Sequence, residues 1–179
     1  NHLVEGNEFT VKTVPGDLNI RISYDDENDI FTARVNMGKP VFDANKLINT
    51  EKERFLKEKI TVDGKEFEIS YIFTGTDHSV IFVNKFDDKI DEFDDEIINT
   101  FGKKIENYTE LFPKKVNVNF VKVYDKTHIE VITWERGAGR TLACGTGVTA
   151  AAVLSRIFGY TEYKVNVKVP GGQLVIEYD

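Results

Sequence analysis

The most constraining stretch of the chain is GVTAAAVLSRIF, Gly147–Phe158. At helical spacing Ala150, Ala151, Ala152, Val153, Leu154 and Ile157 leave almost no polar stripe. A helix that is apolar nearly all round has no face to give to water, so it must be buried. Its first turns carry small side chains, which lets strands approach closely. The chain is therefore expected to fold as an α+β lobe, with a strongly curved, barrel-like antiparallel or mixed sheet around one central helix that Gly159 stops.

The rest of the sequence supplies the strands. Glu8–Val14, Asn19–Tyr24 and Ile30–Gly38 alternate or run apolar in strand fashion. Residues 44–58 are polar and read as loop or short helix. Lys59–Phe73 reads as a hairpin turning at Asp63-Gly64, followed by a buried strand at His78–Val83. Between Asp87 and Tyr108, Ile90, Phe93, Ile97, Phe101 and Ile105 mark one face of a helix. The acidic run at its start reads as a solvated face favoured by the helix dipole, because it lacks the ligand pattern of a calcium loop. Strands return at Val116–Tyr124 and His128–Trp134, and a last hairpin turns around Pro170-Gly171-Gly172.

The charge balance bounds the partners. A net charge of −7 argues against nucleic acid or an anionic membrane. No apolar run approaches the roughly 18 residues of a membrane span. A single cysteine, Cys144, cannot form an internal disulfide, so a reducing cytoplasm is expected. The only methionine is Met37, so Asn1 is not expected to be the natural start.

Cys144 sits in WERGAGRTLACGTG, where a strand passes through a glycine-rich loop into the apolar helix. The first amides of a helix have no intrahelical partner and attract anions. Cys144, Gly145, Thr146 and Gly147 would form a carboxylate cradle beside a thiol of depressed pKa. The same residues also fit a small buried hydrophobe ahead of an ordinary turn.

The run ERGAGRTLACGTG, followed by an alanine-rich helix, resembles the signature of the diaminopimelate epimerases. KVNVNFVKV, GTDHSVIFV and PGGQLVIEYD resemble further segments of that family, so the likeness spans nearly the whole chain. It implies a cofactor-free, metal-free enzyme that inverts the α-carbon of diaminopimelate between two cysteines on opposite faces. On this resemblance Cys144 is one acid/base, and Glu135 orients or deprotonates it or holds the distal amine. Arg136 and Asn117 take the distal end of the substrate, while Gly145, Thr146 and Thr76 line the binding site. His78 assists the cysteine of the other lobe, and a homodimer is implied.

That scheme needs two thiols, and the sequence contains one. By the family pattern, residues 1–40 match the closing strands of an N-terminal lobe and residues 41–179 the C-terminal lobe with the second catalytic cysteine. The missing N-terminal lobe would then be the chief partner, and this chain alone would be inactive. Two positions depart from the pattern: Thr76-Asp77 replace Asn-Pro, and Arg140 replaces glutamate. Either could alter substrate choice. Three other readings fit the residues: an epimerase of the same fold acting on another amino acid, a non-catalytic lobe binding an anion or a partner chain, and a hydrolase pairing Cys144 with His78 or His128.

Overall fold

A computed structural model describes residues 6–13, 16–27, 29–83 and 95–179. The chain divides into two compact units, Asn1–Lys39 and Pro40–Asp179. The first is an antiparallel meander of β1 (Glu8–Thr13), β2 (Gly16–Asp25) and β3 (Ile30–Val35). Tyr24 opposes Phe31 across β2 and β3, with ring centroids 4.5 Å apart. No described residue of this unit is buried, and Phe31 is 72% exposed. Three such strands bury too little apolar surface to form a core among themselves.

The second unit contains α1 (Ala44–Leu47), β4 (Glu58–Val62), β5 (Lys65–Phe73), β6 (Asp77–Phe82), α2 (Asp95–Glu106), β7 (Asn117–Val123), β8 (His128–Glu135), β9 (Gly139–Arg140), α3 (Gly145–Ile157), β10 (Lys164–Val169) and β11 (Gly172–Glu177). Its strands form one mixed sheet in the order β11-β10-β8-β7-β6-β5-β4, with β9 paired to β8. β6–β7 and β8–β10 are parallel pairs; the other neighbours are antiparallel. Parallel neighbours need a crossover, and the crossovers carry α2 and α3. The Asp63-Gly64 turn forms as the sequence demands: φ is 51° and 78°, the doubly left-handed geometry of a tight hairpin.

Side-chain alternation along the strands sorts the interior into two cores. Ile69, Tyr71, Ile81, Val118, Phe120 and Ile132 face α2, through Ile98 and Ile105. Ile72, Val80, Val121, Val131, Val165 and Val167 face α3, through Val148, Ala151 and Leu154. This explains the nearly continuous apolar run in β6, because a strand buried on both faces has no polar side to show.

α3 is buried as expected. Residues Gly147, Val148 and Ala150–Ser155 are enclosed, and it packs on β5, β6, β7, β8, β10 and β11. The barrel-like expectation needs correction in two respects. The sheet does not close, since β4 and β11 each end the strand order. It also carries a second helix, α2, against the side chains of its other face.

The face of α2 is rotated from the one expected. Ile98, Gly102 and Ile105 are buried, while Ile97 and Phe101 are only half-buried. The beginning expected at Asp87, with Ile90, Phe93 and most of the acidic run, lies outside the described residues. Gly102 explains the rotation. A Cβ there would lie 2.9 Å from both Cβ and Cγ of Trp134, so only glycine lets α2 approach β8 this closely. Gly102→Ala is expected to destabilise the unit by about 1–2 kcal/mol, overpacking outweighing the gain in helix propensity. Urea unfolding checks this; a variant as stable as the parent would show that the helix simply shifts.

Candidate active site

The β8–β9 turn, the start of α3 and the start of β6 meet around Cys144. Cys144 is the N-cap residue of α3, with extended backbone at φ −131° and ψ 109°, and is 8% exposed. Its Sγ lies 3.4 Å from Thr146 Oγ1. Burial pushes the thiol pKa up; the Thr146 hydroxyl and Gly147 amide pull it back, and the hydrogen-bonded carboxylate of Glu135 adds to the rise. The depressed pKa expected from the helix terminus therefore does not survive in this site. The amide contribution is present, but desolvation of the sulfur and the facing carboxylate outweigh it. Such a thiol keeps its proton in the resting site, with the Glu135 carboxylate in contact with it.

His78 is fully buried, and burial, with the nearby Arg136 charge, pushes its pKa down to about 3. It is a neutral imidazole at physiological pH. Its Nε2 is 2.9 Å from Thr76 Oγ1 and 2.9 Å from Thr146 Oγ1. It reaches Cys144 only through Thr146.

Asn117 ties the site segments together. Its side-chain NH₂ donates to Asp77 O at 3.0 Å and Thr76 Oγ1 at 3.3 Å, and its Oδ1 accepts from the Arg136 amide at 2.9 Å. The Arg136 guanidinium donates to Lys114 O at 2.8 Å and lies 3.7 Å from Asp77 Oδ2. Asp77 Oδ1 in turn accepts from the Tyr71 hydroxyl at 2.5 Å. The aspartate at the unusual Thr76-Asp77 pair thus faces the cation. Arg140, the other departure, points elsewhere: it pairs with Asp95 at the start of α2 at 2.7 Å. Gly145 opens α3 and is exposed, and its carbonyl accepts from the Thr149 hydroxyl at 2.8 Å.

Three contributors were not singled out in the sequence. Glu106 is 6% exposed, and its carboxylate accepts from Trp134 Nε1 at 2.9 Å and the Gly137 amide at 3.0 Å, bracing the turn that presents Glu135 and Arg136. Asn119 and Thr133, both buried, lie behind His78 and Gly147. Asn119 had a signal in principle, since it shares a strand face with Asn117 two residues earlier. Glu106 had none, because it follows an ordinary apolar helix face.

A Cys144–His128 dyad is excluded. His128 opens β8 and is exposed beside Asp125, while Glu135, in contact with Cys144, closes the strand. Seven steps along a strand separate the ends by about 23 Å. Among the described residues no cluster of three or more His, Cys, Asp or Glu side chains could hold a metal, and no helix is long and apolar enough to cross a membrane.

Residues 70–179, well over half of the chain, match the family model for diaminopimelate epimerase. The chain belongs to the diaminopimelate epimerase family. The diaminopimelate epimerase of Caldanaerobacter subterraneus is 37% identical over 177 residues, covering 98% of this chain and 61% of the relative. That of Clostridium perfringens is 39% identical, covering 92% and 57%. The chain thus spans about 60% of the length of the curated relatives it matches. Among solved structures, a hydroxyproline epimerase from Agrobacterium vitis superposes with a TM-score of 0.62 at 13% identity, over 96% of this chain and 52% of that one. A probable proline racemase from Agrobacterium radiobacter gives 0.60 at 13% identity, over 96% and 52%. At that identity the likeness speaks for the fold alone.

Proposed function

We propose that this chain is one lobe of a cofactor-independent epimerase that interconverts LL- and meso-diaminopimelate. The observation that carries the reading is the seat of Cys144, a proton-bearing thiol at a helix N-terminus with a carboxylate beside it. In one direction Glu135 takes the thiol proton and the thiolate removes the substrate's α-proton; in the other the thiol delivers a proton to the α-carbon. The α-carbon is a weak acid, so charge developing on the α-carboxylate must be held. The free amides at the start of α3, at Gly145 and Thr146, are suited to that. Arg136 offers a planar fork for the distal carboxylate, and Asn117 holds the Arg136 backbone in register with Thr76 and Asp77. The thiol for the opposite face would belong to an N-terminal lobe, onto which the exposed strands β1–β3 would pack.

Asp77 favours a second reading of the distal pocket. A carboxylate 3.7 Å from Arg136 competes with a substrate carboxylate and welcomes a substrate ammonium. An amino acid with a differently charged distal end would then be the better substrate.

The test uses a protein of the relatives' full length carrying this lobe. In deuterated water it should exchange the α-hydrogen of LL- and meso-diaminopimelate while interconverting them. Exchange with another amino acid but not with diaminopimelate would select the second reading. No exchange with any amino acid would reject both.

A further inference from the structure

The buried polar groups behind the thiol form one directed chain, and its direction can be read from a single carbonyl. Asn119 Nδ2 lies 3.0 Å from Ser79 O. A carbonyl only accepts, so this end of the amide must be the NH₂ group, which fixes the orientation of the side chain. The other NH₂ hydrogen points at His78 Nδ1, 3.0 Å away, so Nδ1 is an acceptor and carries no proton. Asn119 Oδ1 is held by the Thr133 hydroxyl at 2.9 Å. The proton of the neutral imidazole is then on Nε2, 2.9 Å from Thr146 Oγ1. Once Thr146 oxygen accepts that N–H, its own hydrogen is free to turn toward Cys144 Sγ, 3.4 Å away.

We propose that Thr133, Asn119, His78 and Thr146 are positioning residues that form a one-way hydrogen-bond relay, which hands the Cys144 sulfur a hydroxyl donor and denies His78 the role of base toward it. The inference rests on Cys144 being the acid/base of the site and deepens that reading. Each donor points toward the sulfur, so the relay supports the thiolate when it forms. It cannot carry a proton away, because the only imidazole nitrogen without a proton is occupied by Asn119. Deprotonation of the thiol is left to Glu135. The described charged groups acting on the pair fit this division: Glu135 opposes the thiolate, and Arg136 opposes an imidazolium at His78. Thr76 Oγ1 is a competing acceptor for Nε2–H at 2.9 Å; it also receives the Asn117 amide at 3.3 Å and lies 3.3 Å from Thr146 Oγ1, so its own hydroxyl hydrogen can turn to Thr146 and run in the same direction as the relay. The packing is tight enough to hold the orientation: a Cβ on Gly147 would come within 2.4 Å of Asn119 Oδ1 and 3.1 Å of Thr133 Oγ1.

The relay can be tested on the chain itself, without substrate. Nitrogen-15 NMR of histidine-labelled protein should show His78 as the neutral Nε2–H tautomer from pH 8 to pH 5. An Nδ1–H tautomer, or an imidazolium at pH 6, would overturn the proposal. Alkylation of Cys144 by iodoacetamide against pH provides the second readout. Thr146→Val should raise the midpoint by about one to two pH units, the size of one lost hydrogen bond to a charged sulfur, and Thr146→Ser should restore it. Equal midpoints in parent and Thr146→Val would show that the sulfur does not use this donor. Asn119→Asp should reverse the His78 tautomer, since a carboxylate needs the proton on Nδ1; should that variant fail to fold, the parent spectrum and the Thr146 pair still decide. A protein that passes these tests yet exchanges no α-hydrogen would keep the relay and lose the proposed function.

Discussion

Between pH 7.5 and 4.5 the unit formed by residues 40–179 is expected to lose about 3 kcal/mol of stability through His78 alone. The imidazole is 0% exposed, and burial lowers its pKa from 6.5 to about 3, with Arg136 adding to the shift. Below about pH 6.5 the unfolded chain takes up a proton on this residue, while the folded chain does not until about pH 3. Protons therefore favour unfolding across that window. The contribution is fully present above pH 6.5 and is lost downward, levelling off near pH 3. Two units into the window, at pH 4.5, each unit is worth about 1.36 kcal/mol. His78→Gln removes the titration. Urea midpoints followed by the fluorescence of Trp134, the only tryptophan in the chain, should therefore fall less steeply with acid in the variant than in the parent. His2 and His128 remain in both proteins, so the difference in slope isolates His78. Equal slopes would mean that His78 is protonated inside the folded protein, and the directed relay behind Cys144 would fall with it.

Elements governed by local rules were legible in the sequence. Asp63-Gly64 fixed a hairpin because few residue pairs accept two left-handed conformations in succession. The apolar girth of α3 fixed its burial, and the helix begins at Gly145, two residues ahead of the expected Gly147. Pairings between distant segments were not legible. Nothing local in β6 or β10 states that each lies parallel to its neighbour, and nothing local in β4 or β11 states that each ends the sheet, which is where closure into a barrel fails. A second helix filling the other face of the sheet can be recognised only once alternate residues such as Tyr71 and Ile72 are assigned to different cores.

The site divides along the same line. The segment from Glu135 to Gly147 is contiguous, so its convergence on Cys144 follows from one turn and one helix start. The balance of forces on the thiol did not follow, because the burial of Cys144 is a property of the folded packing and not of any local pattern. The helix terminus argument gave the sign of one contribution and missed the larger opposing one. Glu106 marks the same limit. A carboxylate buried to brace Trp134 and Gly137 looks, in sequence, like any charge after an apolar helix face.

The chain by itself is expected to interconvert LL- and meso-diaminopimelate at least about 100-fold more slowly than a full-length protein carrying the same lobe. Inversion needs a proton removed on one face of the α-carbon and delivered on the other. The sequence has one cysteine, and Cys144 can serve one face only. His78 cannot stand in as the second acid, because it is fully buried and stays neutral down to about pH 3. Loss of one member of an acid/base pair typically costs about 10²- to 10⁴-fold. An open half-site also admits water, which would weaken the proposed hold of the α3 amides on the α-carboxylate and of Arg136 on the distal one. Cys144→Ala in the full-length protein should cost a similar factor, since on the proposed mechanism it removes the other thiol of the same pair. Formation of the other stereoisomer, followed by optical rotation from LL and from meso substrate separately, reads both experiments. Interconversion by the chain alone at the full-length rate would mean that one thiol suffices, and Glu135 would be the group to examine as its partner.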